Sequence, residues 1–285
     1  MSSTDTLLRA MTDDGAFRVI AAITTSSVRE ANRLQEAKGA LAQRFGDLLT
    51  GSVLVRETMA PKFRVQALVR GAKGQGGLVA DSHPDGGTRG LVQKSKVTGD
   101  VSFGEGAILQ MLRTMPNGSL HTGTVEIPPD LGVSGALMQY FATSEQVASM
   151  VAVGSVLSDE GNVVLSGGYI VQLLPEVVDG PLAVMTERLS DFTDMRAMLA
   201  GGLATPEGII DEILYQMPYT KLETSPLEWK CRCSELSLLS SISTLSQDEI
   251  LDLVKDDEPL DISCDYCRTD YKLEPEQLRG LLHKS

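Results

Sequence analysis

Cys231-Arg232-Cys233 and Cys264-Asp265-Tyr266-Cys267 carry every cysteine of the chain, two close pairs with thirty residues between them. In an extended Cys-x-Cys run both side chains face the same way, because strand side chains alternate with period two. Trp229 falls on that face as well. A Cys-x-x-Cys run closes into a tight turn that brings its two sulfurs to one point. Together the pairs can offer four thiolates to one tetrahedral Zn²⁺ ion per chain. Four sulfur ligands leave no open coordination position, so such a site serves structure or redox chemistry and hydrolyses nothing itself. The other reading of the pairs is two structural disulfides in a secreted protein. Residues Met1 to Arg9 place no cationic flank ahead of an apolar run, so a secretory signal is not expected and a reducing cytoplasm is.

Around the cysteines the pattern is strand, helices, strand, helix over 229–285. Residues Glu228 to Cys233 read as extended. Leu236, Leu239 and Ile242 share a helical face, and Ser246-Gln247-Asp248-Glu249 is a capping box ahead of Ile250, Leu253 and Val254. Leu260-Asp261-Ile262-Ser263 leads into the second pair and Tyr271-Lys272-Leu273 leads out, which suggests a hairpin. Pro275 opens a last helix through Leu278, Leu281 and Leu282. A module this small has a thin core, and a metal is one way to staple it.

Upstream, residues 179–228 are broken by Pro181, Gly201-Gly202, Pro206, Pro218 and Pro226 into short amphipathic helices. Leu189, Phe192, Met195 and Leu199 share one face. Ile209, Ile210, Ile213, Leu214 and Met217 share another, after Thr205-Pro206 as cap and first helical position. None is long enough to be stable alone, so 179–228 reads as a helical linker that leans on its neighbours. Residues 1–178 mix signals. A strand is expected at 15–24. One helix is expected over 28–50, opened by the capping box Ser27-Val28-Arg29-Glu30. Short strands with glycine turns are expected over 52–127, a helix over 145–157 opened by Thr143-Ser144-Glu145-Gln146, and a strand over 161–174. Long helices among antiparallel or mixed strands predict an α+β domain. Three parts result: 1–178, 179–228 and 229–285.

Composition narrows the function. The chain has 285 residues, 42% apolar but only 5% aromatic, so its core is aliphatic. A net charge of −13 disfavours a phosphate backbone as partner, so no nucleic acid is expected. No apolar run reaches the roughly 18–20 residues that span a bilayer, so no membrane partner is expected either. The glycine run Gly71-Ala72-Lys73-Gly74-Gln75-Gly76-Gly77 departs from a phosphate-loop signature and reads as a hairpin turn needing positive φ. Asp85-Gly86-Gly87 and Pro116-Asn117-Gly118 read as further turns. His83, His121 and His283 lack ligand spacing, and Ser144 has no nucleophile elbow around it. Asp256-Asp257-Glu258 reads as a solvated turn. Lys230, Arg232 and Arg268 flank the cysteines and read as solvated cations that could offset thiolate charge. No enzyme site assembles from these residues.

The cysteine segments Cys231-Arg232-Cys233-Ser234 and Cys264-Asp265-Tyr266-Cys267, with Tyr271 beyond, resemble the 33-kDa chaperonin (heat-shock protein 33) family of redox-regulated chaperones. The resemblance runs through the body. Tyr140-Phe141 followed by Ser144-Glu145-Gln146 looks like a family segment, as does Gly167-Gly168-Tyr169-Ile170-Val171-Gln172-Leu173-Leu174-Pro175. The turn at 71–77 and Thr88-Arg89-Gly90 also fit. One departure is Glu235-Leu236-Ser237-Leu238-Leu239, more apolar than the charged stretch many members carry there. The resemblance implies an N-terminal α+β domain, a metastable helical linker and a zinc-binding redox switch. It implies an ATP-independent holdase, nearly inactive when reduced and zinc-bound. Oxidation would pair Cys231 with Cys233 and Cys264 with Cys267, release zinc, unfold linker and tail, and let a dimer hold unfolding client proteins. The competing expectation is a constitutive zinc-stabilised adaptor for a partner in translation or proteostasis.

Overall fold

The structure is a computed structural model and describes residues 4–115, 117–174 and 179–282. The expectations that fall on Pro116, Pro175 and His283 lie outside those residues. The chain divides into two compact units, Met1–Lys230 and Cys231–Ser285. Among the described residues no helix is long and apolar enough to cross a membrane.

The first unit is built on two sheets. β1 (Thr6–Thr12), which is not among the strands expected from sequence, pairs antiparallel with β2 (Phe17–Ile23). With β8 (Ser149–Leu157), β9 (Val163–Leu173) and β10 (Tyr219–Pro226) they form a sheet in the order β10-β1-β2-β9-β8. The second sheet contains β3 (Arg64–Arg70), β4 (Gly77–Ser82), β5 (Gly87–Gln93), β6 (Ile108–Thr114) and β7 (Leu120–Glu126), with β11 (Glu228–Trp229) added parallel to β5. The glycine run at 71–77 is the β3–β4 turn, with positive φ at Lys73, Gly74 and Gly76.

Helix α1 (Thr25–Leu34) is followed by α2 (Gly39–Glu57). These replace the single helix expected over 28–50. The apolar spacing does continue across the joint, but the backbone turns left-handed at Glu36 and Gly39 and breaks the hydrogen-bond ladder. Ser27 is inside α1 and is not its cap. The carboxylate of Asp5 accepts from the amides of Ser26 and Ser27 at 2.8 and 2.6 Å, a cap supplied from the residue before β1. α2 packs on β2, β8 and β9 of one sheet and on β3, β4 and β5 of the other. Its side chains are therefore buried nearly all round, Phe45, Leu48 and Leu54 completely.

Helix α3 (Gly132–Tyr140) runs into a π-type turn, Phe141–Glu145, and Gln146 is left-handed. The helix expected over 145–157 is thus absent, and β8 occupies its place. The residues read as a cap end a helix: the Tyr140 hydroxyl donates to Glu145, which also pairs with Arg113 at 2.7 Å. Those long-range partners fix the segment more strongly than its local signature.

Segment 179–228 folds onto this unit. It carries α4 (Asp179–Leu189), α5 (Met195–Ala200) and α6 (Pro206–Ile213), then β10 and β11. So the expected helical linker also supplies β10 and the start of β11, because the edge of β1 pairs with Tyr219–Pro226, with one bulge between Arg9 and Ala10. Period-two alternation gives the first sheet two apolar faces. Ile20 and Ala22 of β2 face the core shared with α2, whereas Val19, Ala21 and Ile23 face Met195, Leu199, Ile209 and Ile213 of the linker helices.

The second unit contains α7 (Glu235–Ile242), α8 (Gln247–Leu253), the hairpin β12 (Leu260–Ser263) and β13 (Asp270–Leu273), and α9 (Pro275–Arg279). Ser246 and Glu249 form the expected capping box, and Ser234 with Ser237 forms a second. The core consists of Ile242, Ile250, Val254, Leu273 and Leu278. Leu236, expected on the buried face of α7, is 79% exposed, since α7 offers only its C-terminal end to that core.

Candidate metal centre

The turn of the β12–β13 hairpin builds half of the centre. Ser263 pairs with Asp270, so residues 264–269 must close the loop. The amide of Cys264 donates to the Thr269 carbonyl at 2.9 Å, and that of Arg268 to the Cys264 carbonyl at 2.8 Å. Arg268 takes φ +59°, which lets the chain reverse tightly. The amides of Cys267 and Tyr266 then point at the Cys264 sulfur. Cys231 and Cys233, which follow β11 without forming a strand of their own, supply the other half.

All four expected residues meet. Their sulfurs lie within 4.8 Å of one another, Cys231 to Cys264 at 3.8 Å and Cys233 to Cys267 at 3.3 Å. A disulfide needs about 2.05 Å, so none is formed. Four sulfurs about 2.3 Å from a central ion stand roughly 3.8 Å apart along a tetrahedron's edges. The cluster fits one metal ion of that kind, and Cys264 is buried while the other three are half-buried.

Its electrostatics also call for a cation. Burial raises the Cys233 thiol to about 12, and neighbouring sulfurs add to the rise against the pull of the Tyr271 hydroxyl, which donates from 3.1 Å. Burial opposes ionisation of Cys267 too. There the Thr269 hydroxyl at 3.1 Å, the Thr269 amide and the adjacent sulfurs outweigh it and bring the thiol to about 7. Cys267 is therefore the thiol brought closest to ionisation near neutrality, whereas Cys233 stays protonated unless a positive ion sits among the sulfurs. Thr269 was not among the residues singled out from sequence, and Tyr271 stood there without a role. Their proximity to Cys267 along the hairpin is the signal.

The remaining candidates fall elsewhere. Trp229 packs against the core of the first unit. Lys230 pairs with Glu228 at 2.9 Å and Asp85 at 3.4 Å, so carboxylates engage its charge. His83 lies 3.3 Å from Asp81, and His121 Nδ1 accepts from Arg113 Nη2 at 3.0 Å. Ser144 sits in the π-type turn, and Asp257 pairs with Arg279.

Fold and site define a class: an α+β protein with a small C-terminal module whose four cysteines can close on one metal ion. The family model described as Hsp33 protein matches residues 5–274, and the chain belongs to that family. Membership makes chaperone its broad class of function. The 33 kDa chaperonin of Bacillus pumilus is 29% identical over 97% of this chain and 98% of its own. That of Syntrophotalea carbinolica is 29% identical over 98% and 99%. The crystal structure of the 33 kDa chaperonin (heat shock protein 33 homolog) from Thermotoga maritima has the same fold, with a TM-score of 0.82 at 21% identity over 98% of each chain.

Proposed function

We propose that the protein is a redox-switched holdase: an ATP-independent chaperone, without a catalytic step, that captures unfolding proteins after oxidation of its cysteine cluster. The observation that carries this reading is that the four sulfurs converge in a unit whose apolar core, among the described residues, is a cluster of five buried aliphatic side chains. Chemistry at sulfur and folding of the unit are thereby the same event.

Cys231, Cys233, Cys264 and Cys267 would hold zinc, the ion favoured by a closed four-thiolate site. When bound, zinc keeps all four sulfurs deprotonated, the form that oxidants attack. A thiolate takes one oxygen from peroxide, and hydroxide leaves. The adjacent thiolate then attacks the resulting sulfenic sulfur and expels a second hydroxide. Each pair thus consumes one peroxide and two protons and yields one disulfide and two waters. As the family resemblance implies, the pairs would be Cys231 with Cys233 and Cys264 with Cys267, and each thiolate then has its resolving partner in the same short run. Sulfurs bonded to each other no longer hold the metal.

Structural zinc contributes on the order of 10–16 kcal/mol in small modules, more than so thin a core replaces. The chain leaves α6 through β10 and β11 directly into Cys231, so unfolding of the second unit reaches the linker along the backbone. An undocked linker would bare both its own apolar faces and the sheet face of Val19, Ala21 and Ile23 to clients. The acidic surface keeps such complexes soluble. We place this activity in the cytoplasm, with a dimer as the oxidised form and neither nucleic acid nor membrane as partner.

The test is a peroxide titration at mildly raised temperature with three readouts: zinc released, thiols remaining, and aggregation of a thermally unfolding enzyme. Zinc release, loss of four thiols and suppressed aggregation should rise together. Equal partner binding by reduced and oxidised protein would instead favour the constitutive adaptor.

A further inference from the structure

Helix α5 has six residues and cannot persist without a seat. Its seat is a pair of facing glycines, Gly154 on β8 and Gly167 on β9. A Cβ on Gly154 would stand 2.9 Å from Arg196 Cγ, 3.0 Å from the Arg196 amide nitrogen and 3.1 Å from Met195 Cβ. Met195, Met198 and Leu199 are buried there. The Tyr169 hydroxyl donates to the Phe192 carbonyl at 2.7 Å just ahead of the helix, and Asp194 caps its first amides.

One contact in this seat is of a different kind. Arg196 Nη2 donates to Asp47 Oδ2 at 2.9 Å, which ties the linker to the central helix α2. The Asp47 side chain is 7% exposed and that of Arg196 48%. The carboxylate is thus sealed in while its counter-ion stays half in water. Burial pushes Asp47 up to about 6, against the pull of Arg196. A pair in this situation is asymmetric: with Asp47 neutralised, the single half-exposed Arg196 can turn its charge to water, whereas deleting Arg196 leaves an uncompensated buried charge.

We propose that Asp47 and Arg196 form a conditional latch: Arg196 is needed at the seat only because Asp47 is there, and the pair sets how readily the linker leaves the sheet. The buried carboxylate biases the docked linker toward release, and the guanidinium holds it back. Its functional consequence rests on the holdase reading, whereas the latch itself is a statement about linker docking.

The experiment uses the full-length, reduced, zinc-loaded protein and compares Arg196→Met, Arg196→Lys, Asp47→Asn and the double variant Asp47→Asn/Arg196→Met. Hydrogen exchange of backbone amides in 195–213 reports docking, and suppression of a model client's aggregation reports activity. Arg196→Met should raise exchange about tenfold or more and hold client without oxidant. Arg196→Lys and Asp47→Asn should exchange no faster than the parent. The double variant should return to the level of Asp47→Asn, a rescue that loss of packing at Arg196 would not give. Unchanged exchange in Arg196→Met, or a double variant as fast as Arg196→Met, overturns the latch. Fast exchange in Arg196→Met without client capture leaves the latch standing and counts against the holdase reading.

Discussion

A hydroxyl at hydrogen-bond distance decides how a sulfur behaves. Tyr271 donates to Cys233 and so stabilises the thiolate that a metal needs. Tyr271→Phe should weaken metal binding about tenfold, measured by competition with a chelator of known affinity at fixed pH. Unchanged affinity would mean that the hydroxyl only fills space. A second residue-scale device lies far from the cysteines. Asp81 is fully buried between Arg64 at 2.6 Å, Arg89 at 3.0 Å and His83 at 3.3 Å. Burial works against its charge, but His83 and Arg64 outweigh that and hold the carboxyl well below the usual carboxylate range. A depressed folded-state pKa means stability that is present above the unfolded value, about 3.9, and lost as pH falls below it. Asp81→Asn should therefore cost about 3 kcal/mol at pH 7 in urea unfolding of the first unit, and the difference from the parent should shrink as the pH is lowered through 4. The cysteines were legible from spacing alone, because their ligand pattern is local. Asp47 was not, because nothing near it in the chain announces Arg196, and the Arg89 partner of Asp81 follows only once the β4–β5 register is known.

At the scale of elements, three capping signatures had three outcomes. Ser246 caps α8 as its sequence says, in a unit with few competing contacts. Ser27 lies inside α1 because Asp5 does the capping, and the Thr143 signature falls where α3 ends because Glu145 is claimed by Tyr140 and Arg113. Local signatures decide where tertiary partners are scarce and yield where they are dense. The same logic explains α2: a helix between two sheets has no solvent stripe, so periodicity located it but could not place its ends. Strand β10 hid in a segment of prolines and exposed polar residues, visible only once β1 is there to pair with it. The glycine seat under α5 allows a direct test of element docking. Gly154→Val inserts branched carbon where a Cβ alone already approaches the Arg196 backbone. Amide exchange over 195–200 should rise at least several-fold while that of β2 and β9 stays unchanged, and equal exchange in variant and parent would show that α5 does not need this seat.

The two units differ in what keeps them folded, and the proposed switch rests on that difference. The first has two extensive apolar clusters, one on each face of its five-stranded sheet. The second has, among its described residues, one cluster of five buried aliphatic side chains and four sulfurs gathered to one point. For so small a core, area-based stabilisation and ordering entropy nearly cancel. An ion bound with an apparent free energy on the order of 10 kcal/mol is then most of the unit's stability. A strong chelator added to the reduced protein should therefore remove a thermal transition rather than shift one. Calorimetry of the metal-loaded protein should show an unfolding event for residues 231–282 that disappears on chelation, while the transition of the five- and six-stranded sheets remains. Exchange should rise through β12 and β13 and stay low through α2. Because chelation forms no disulfide, it separates loss of metal from oxidation: if the chelated, still reduced protein captures clients as well as the oxidised one does, metal release is the operative event and the disulfides serve to make it last. Persistence of the 231–282 transition without metal would show that the unit folds on its five-residue core alone, and the link from sulfur chemistry to folding would be broken at its first step.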